Sequence, residues 1–133
     1  MPTVMITGAA GHLGRGVAQA FDADGAKLVL VDLDAATLRT TFGADDDRRM
    51  LAPANLLDEA QVQSAVAAAV ARFGRIDVLC HLAGGFRMGE AVHETSEATW
   101  NFLFDLNLRT LLHVARAVVP RMVAAGGGRI ATV

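Results

Sequence analysis

The sequence predicts an α/β fold, a doubly wound parallel sheet of strand order 3-2-1-4-5, and three observations carry that expectation. Short apolar runs alternate with longer segments of helical period, giving the order β-α-β-α-β-α-β-α-β over 133 residues. A glycine turn, Thr7-Gly8-Ala9-Ala10-Gly11-His12-Leu13-Gly14, joins the first run to the first helix, and Asp32 closes the second run. Right-handed crossovers then leave a ligand crevice between strands one and four, where the winding direction reverses.

Each element has its own local reason. Val4-Met5-Ile6 is an apolar run suited to a strand buried on both faces (residues 3–7), and Leu13, Val17 and Phe21 at i, i+4, i+8 mark a helix over 13–24. Asp24-Gly25 ends that helix, and Leu28-Val29-Leu30-Val31 forms the second strand, 26–31. Asp34 reads as the N-cap of a short helix reaching about Thr41, and Asp45-Asp46-Asp47-Arg48-Arg49 as a solvated loop. The third strand runs over 50–54, with Pro53 pointing to an edge. Asp58 and Gln61 make a capping-box pattern for a helix whose Val62, Val66, Val70 and Phe73 share a face before Gly74. Ile76 to Leu82 is nearly unbroken apolar sequence, a fourth strand covered on both faces. After a loop over 86–95, Ser96 caps a long helix (96–122), closed by Gly126-Gly127-Gly128, and residues 129–133 begin a fifth strand.

The glycine turn carries chemistry as well as geometry. Gly8 lets the chain leave the strand at positive φ, Gly11 removes a Cβ where a pyrophosphate must approach, and Gly14 lets the helix lie close on the strand. The helix start then offers free N–H groups and partial positive charge to phosphates. Asp32 follows at the spacing expected for a carboxylate that accepts the two adenosine ribose hydroxyls, and it repels a 2′-phosphate. The pair indicates a dinucleotide site that prefers NAD to NADP. His12 and Leu13 at the helix start belong to the candidate set, although His12 equally suits a solvent-facing turn, and Asp32 a plain strand end.

Composition narrows the classes further. A length of 133 residues suits one domain (1–133), and a net charge of −2 supplies no basic field for nucleic acid. The apolar fraction is 53%, yet no run reaches the length of a membrane span and no export signal opens the chain. The lone Cys80 reads as a buried thiol, which with the missing signal points to the cytoplasm. His81 reads as a core histidine, and His93 and His113 have no partner at metal-ligand spacing, so no metal is expected. There is no tyrosine, and Lys27 is the only lysine.

Together these residues resemble the short-chain dehydrogenase/reductase family. The resemblance rests on Thr7-Gly8-x-x-Gly11-x-x-Gly14, Asp32, Phe73-Gly74-Arg75-Ile76-Asp77, His81-Leu82-Ala83-Gly84, Asn107-Leu108 and Gly128-Arg129-Ile130. It implies a Rossmann-type domain, truncated after strand five, that is the first half of a family member and binds NAD(P). It further implies that Asn55 and Leu56 lie beside the adenine, that Ala83 and Gly84 line the nicotinamide-side ribose, and that Asn107 supports a water-linked proton relay. Without the resemblance, Asn107 reads as a helix asparagine bonded across to a loop.

The departures from the family pattern matter as much. The glycine spacing is that of the extended branch, and His81-Leu82 replaces the usual pair of asparagines whose amides brace the sheet. The serine after strand five, and the tyrosine and lysine on the following helix, are the family's acid and its helpers, and the chain reaches Val133 before any of them. Residues 1–133 are therefore expected to bind dinucleotide without transferring hydride, a small-molecule substrate requiring a C-terminal half. The helix over 96–122 adds a second expectation. Trp100, Phe104, Leu111, Val118 and Met122 suit a stripe facing the sheet, while Leu103, Leu106, Leu112, Val114 and Val119 spread round the cylinder. That breadth, with the open edge of strand five, predicts a homo-oligomer, or an interaction module that pairs with itself or another chain.

Overall fold

A computed structural model describes residues 1–133. The elements are β1 (Thr3–Thr7), α1 (His12–Ala23), β2 (Lys27–Asp32), α2 (Ala35–Phe42), β3 (Arg49–Pro53), α3 (Glu59–Phe73), β4 (Val78–His81), α4 (Glu97–Phe104), α5 (Thr110–Ala124) and β5 (Arg129–Thr132). A 3₁₀ turn, Val92–Glu94, precedes α4, and a π-helical turn, Asp105–Arg109, joins α4 to α5. All strands pair in parallel, in the order β3-β2-β1-β4-β5.

Alternation along the central strands divides the core. Val4 and Ile6 of β1, Leu28 and Leu30 of β2 and Cys80 of β4 meet α1 and α2 through Ala18 and Leu38. Met5, Val29, Val31 and Leu79 point the other way, against Val62, Val66 and Ala69 of α3 and Val114, Ala117, Val118 and Met122 of α5. Burying each large aliphatic side chain contributes about 1.5–3 kcal/mol, and β1 is buried at every residue because both faces and both edges are covered.

Several boundaries differ from expectation for local reasons. β3 is an edge strand with Pro53 last, so the missing N–H costs no ladder bond. Arg49 opens that strand, and the acidic residues before it turn back on their neighbours: Asp46 Oδ1 accepts from the Arg48 and Arg49 N–H groups, and Arg72 pairs with Asp45 at 3.2 Å. The cluster is the solvated loop expected, its turn held by these bonds. At α3, Asp58 accepts from the Ala60 and Gln61 N–H groups, but the Gln61 carboxamide oxygen accepts from Asn55 N–H (2.9 Å), which redirects the expected capping box to the preceding loop.

The long helix is the largest correction. It is two α-helices joined by the π turn, and it continues to Ala124. The cause is side-chain competition for backbone: Asn107 Nδ2 donates to Leu103 O (2.9 Å), and the Thr110 hydroxyl donates to Leu106 O (2.8 Å). The sheet-facing stripe changes with it. Thr110, His113, Val114, Ala117, Val118 and Met122 are buried, whereas Trp100 and Phe104 stack on one another at 4.6 Å and stand exposed. The fourth strand is shorter than expected, Val78–His81, although Ile76 is still buried.

Candidate functional site

The site grows from the carboxyl end of β1. Gly8 has φ +66°, and a Cβ there would lie 2.8 Å from the Ala83 nitrogen, so the turn and the loop after β4 pass in contact. A Cβ on Gly14 would lie 2.2 Å from Gly8 O, so α1 begins directly on the turn. The turn is tied to β2 as well: Ala9 N–H donates to Val31 O (3.1 Å), and Ala10 N–H to Asp32 Oδ2 (2.9 Å). Asp32 Oδ1 accepts from Leu33 N–H (2.8 Å). Each carboxylate oxygen keeps acceptor capacity for a further donor.

These segments enclose a cavity of about 390 Å³ at the carboxyl end of the sheet. Gly8, Gly11, Asp32, Asn55, Leu56, Ala83 and Gly84 all line it, so seven of the sequence-predicted residues come together. His12, Leu13, Gly14 and Asn107 do not line it. His12 instead lies at the exposed start of α1, where Arg15 donates to its Nδ1 at 3.0 Å, and Leu13 is exposed. Asn55 Oδ1 accepts from Leu57 N–H (3.0 Å), which shapes the turn under the cavity. Leu82, Leu106 and Thr110 also face the cavity. None of these three was among the expected site residues; Leu106 and Thr110 lie within one helical turn of Asn107, and Leu82 directly precedes Ala83.

Asn107 holds the far wall. Its Oδ1 accepts from Gly85 N–H (3.1 Å) and its Nδ2 donates to Gly85 O (2.9 Å), clamping the loop after β4 to the π turn. His113 does the same service on the other side, its Nδ1–H donating to Leu56 O at 2.8 Å.

A buried hydrogen-bond chain replaces the bracing that two asparagines would give. The Ala83 N–H donates to Thr7 Oγ1 (3.3 Å), and the Leu82 N–H is shared between Thr7 Oγ1 and Thr7 O (both 3.2 Å). With those donors received, the Thr7 hydroxyl donates to His81 Nδ1 (2.8 Å). The Thr110 hydroxyl donates to Leu106 O, so Thr110 Oγ1 accepts from His81 Nε2–H (3.3 Å). The network thus assigns the neutral Nε2–H tautomer, and burial pushes the His81 pKa below the ordinary histidine value. Leu82 braces nothing, its side chain packing with the α1 layer.

The residues fit a dinucleotide. A Cβ on Gly11 would press on Gly8 O at 3.3 Å, the N-terminus of α1 has no side-chain cap, and no acidic side chain lies in its first turn. No cluster of three or more His, Cys, Asp or Glu side chains is placed to hold a metal ion.

A doubly wound parallel sheet with a glycine turn at its switch point defines the Rossmann-type α/β class. The narrower grouping follows from comparison: residues 2–133 match the family model described as short chain dehydrogenase, and the chain belongs to that family. It is 37% identical over 130 residues to oxidoreductase UcpA of Salmonella typhimurium, covering 96% of this chain and 49% of that protein. Levodione reductase superposes with a TM-score of 0.90 at 32% identity, covering 98% of this chain and 53% of that one. A 3-ketoacyl-(acyl-carrier-protein) reductase from Brucella melitensis, complexed with NADH, superposes at 0.89 with 27% identity, over 98% of this chain and 55% of its own. The chain spans about half the length of the curated relatives it matches.

Proposed function

We propose that residues 1–133 form the dinucleotide-binding half of an NAD-dependent short-chain dehydrogenase/reductase. The observation that carries this reading is the convergence of Gly8, Gly11, Asp32, Asn55, Leu56, Ala83 and Gly84 on one cavity. The glycine turn and the first turn of α1 hold the pyrophosphate, with His12, Leu13 and Gly14 contributing from the helix start. The Asp32 carboxylate accepts from the adenosine ribose and disfavours a 2′-phosphate. Asn55 and Leu56 border the adenine, and Ala83 and Gly84 the second ribose. Asn107, as the catalytic-side residue of this half, presents the loop at Gly85 to the reacting end. The bound nicotinamide supplies the hydride chemistry.

Hydride transfer needs an acid beside the substrate oxygen. These residues include no tyrosine, and Lys27 sits at the start of β2, at the opposite end of the sheet from the cavity, with its ammonium 5.8 Å from the Phe73 ring centre. Residues 1–133 therefore bind NAD without turning over, and a small-molecule substrate is engaged only with further sequence. The buried, unpaired Cys80 accords with a reducing cytoplasm. Calorimetric titration of the purified chain with NAD and NADP, beside an alcohol-oxidation assay, tests both halves. NAD binding without turnover is expected, and turnover by the pure chain overturns the inactivity.

A second reading has its own observation. Trp100, Phe104, Leu108, Leu112, Val119 and Val123 are exposed along α4, the π turn and α5, and β5 is an exposed edge strand. We infer self-association, or pairing with another chain, through these surfaces.

A further inference from the structure

Three elements meet at one imidazole that the cofactor reading leaves unused. His81 is 1% exposed at the end of β4, bonded to Thr7 of β1 on one side and to Thr110 of α5 on the other. The Thr7 hydroxyl it engages also receives the N–H groups of Leu82 and Ala83, which line the cavity through their residues. We propose that His81 is a positioning residue whose neutral form fixes, through Thr7, the backbone wall at Ala83, and whose protonation releases that wall and the dinucleotide with it.

The argument is a count of donors and lone pairs. Thr7 Oγ1 has two lone pairs and one hydrogen, and in the neutral arrangement all three are committed. A proton on Nδ1 turns His81 from acceptor into donor at that atom. Thr7 Oγ1 then faces three donors, and its own hydrogen has lost its acceptor. Leu82 N–H retains Thr7 O at 3.2 Å, whereas Ala83 N–H has Thr7 Oγ1 alone, at 3.3 Å, the longest bond of the set. Ala83 is the group that yields. Its nitrogen packs against Gly8, so its release disturbs the cofactor turn directly.

The other titratable and charged groups around His81 are engaged elsewhere. Its neighbours across the sheet are Thr7 of β1 and Thr132 of β5. On its own strand the titratable neighbour is Cys80, in the opposite core layer, whose thiol burial pushes up. On the helical side Asp105 and Arg109 pair with each other at 2.8 Å. His113, one turn beyond Thr110, donates to Leu56 O through Nδ1–H in either protonation state. Because burial lowers the His81 pKa, the wall is held above the ordinary histidine range and is lost as pH falls through the lower folded value.

The test combines nuclear magnetic resonance with binding, since the second arm rests on the proposed dinucleotide site and the first does not. Between about pH 7.5 and about pH 5, the His81 ring nitrogens and Ala83 amide exchange, corrected for intrinsic rates, are followed in the wild type, His81→Asn and His113→Gln chains. Expected are the Nε2–H tautomer at the upper limit, an Ala83 exchange rate that rises about tenfold with the His81 midpoint, and a parallel fall of about tenfold in NAD affinity. His113→Gln keeps this transition. His81→Asn, an amide with donor and acceptor but no titration, abolishes it while preserving NAD binding at the upper limit. A His81 that stays neutral throughout, or titrates without moving Ala83, overturns the proposal. So does a parallel loss of affinity in wild type and His81→Asn. Failure to bind NAD at any pH would sink the proposed function alone, and the Ala83 arm still decides this inference.

Discussion

At the scale of single residues, two glycines in the same helix start have opposite requirements. Gly14 meets backbone oxygen at 2.2 Å from its missing Cβ, and neither Gly8 nor Ala9 can retreat without opening the turn. Gly14→Ala is expected to destabilise by about 1–3 kcal/mol, read from urea midpoints, and to abolish NAD binding. Gly16, with nothing within 4 Å of its Cβ position, provides the control: Gly16→Ala should stabilise by about 0.5–1 kcal/mol with affinity unchanged. Asp32 has a double task, holding Ala10 N–H while facing the cavity. Asp32→Ala removes the ribose acceptor and the repulsion of a 2′-phosphate together. The expected outcome is NAD affinity down by about tenfold or more and NADP discrimination near unity, measured by paired titrations.

Among the elements, the junction before α4 is held by one carboxylate. Glu90 reaches over Ser96, accepting from its N–H at 2.6 Å and from the hydroxyls of Thr99 and Ser96. The Thr99 hydroxyl, then the Ser96 N–H, hold the carboxyl below its ordinary value. A depressed carboxylate stabilises the folded state above the unfolded value and loses that contribution as pH falls through the folded one. Amide exchange at Ser96 and Thr99 should therefore quicken below the ordinary glutamate range in the wild type. Glu90→Gln should show the faster exchange already at neutral pH, and an unchanged profile would remove Glu90 from this role. The π turn has a comparable logic: the amide of Asn107 and the hydroxyl of Thr110 take carbonyls that a regular helix would use, and in exchange they hold Gly85 and orient His81.

For the whole molecule, the deciding feature is the apolar surface that α4, the π turn and α5 leave exposed. Leu108 and Leu112, 52% and 44% exposed, lie along that surface away from the buried Thr110 and Val114. Light scattering after size exclusion should show concentration-dependent self-association, and Leu108→Glu with Leu112→Glu should shift it to monomer without lowering the melting temperature by more than a few degrees. A wild-type monomer at all micromolar concentrations would refute the association. No helix is long and apolar enough to cross a membrane, so the patch is not part of a helical span.

What the amino-acid order determined by itself was the sheet and its switch point. Apolar periodicity places β1 through β5, the glycine turn marks the crevice, and Asp32 stands at its rim, because those signals are local and repeat over a few residues. The helix over 96–122 was legible only as a helix, since the Asn107 amide that takes Leu103 O is also held by Gly85, 22 residues away. The same limit hid the true stripe, in which Trp100 and Phe104 turn outward while Thr110 and His113 turn in. The fate of His81 was undecidable from its neighbours in sequence. Its partners come from positions 74 residues before and 29 after, and only packing β1, β4 and α5 together decides which ring nitrogen carries the proton.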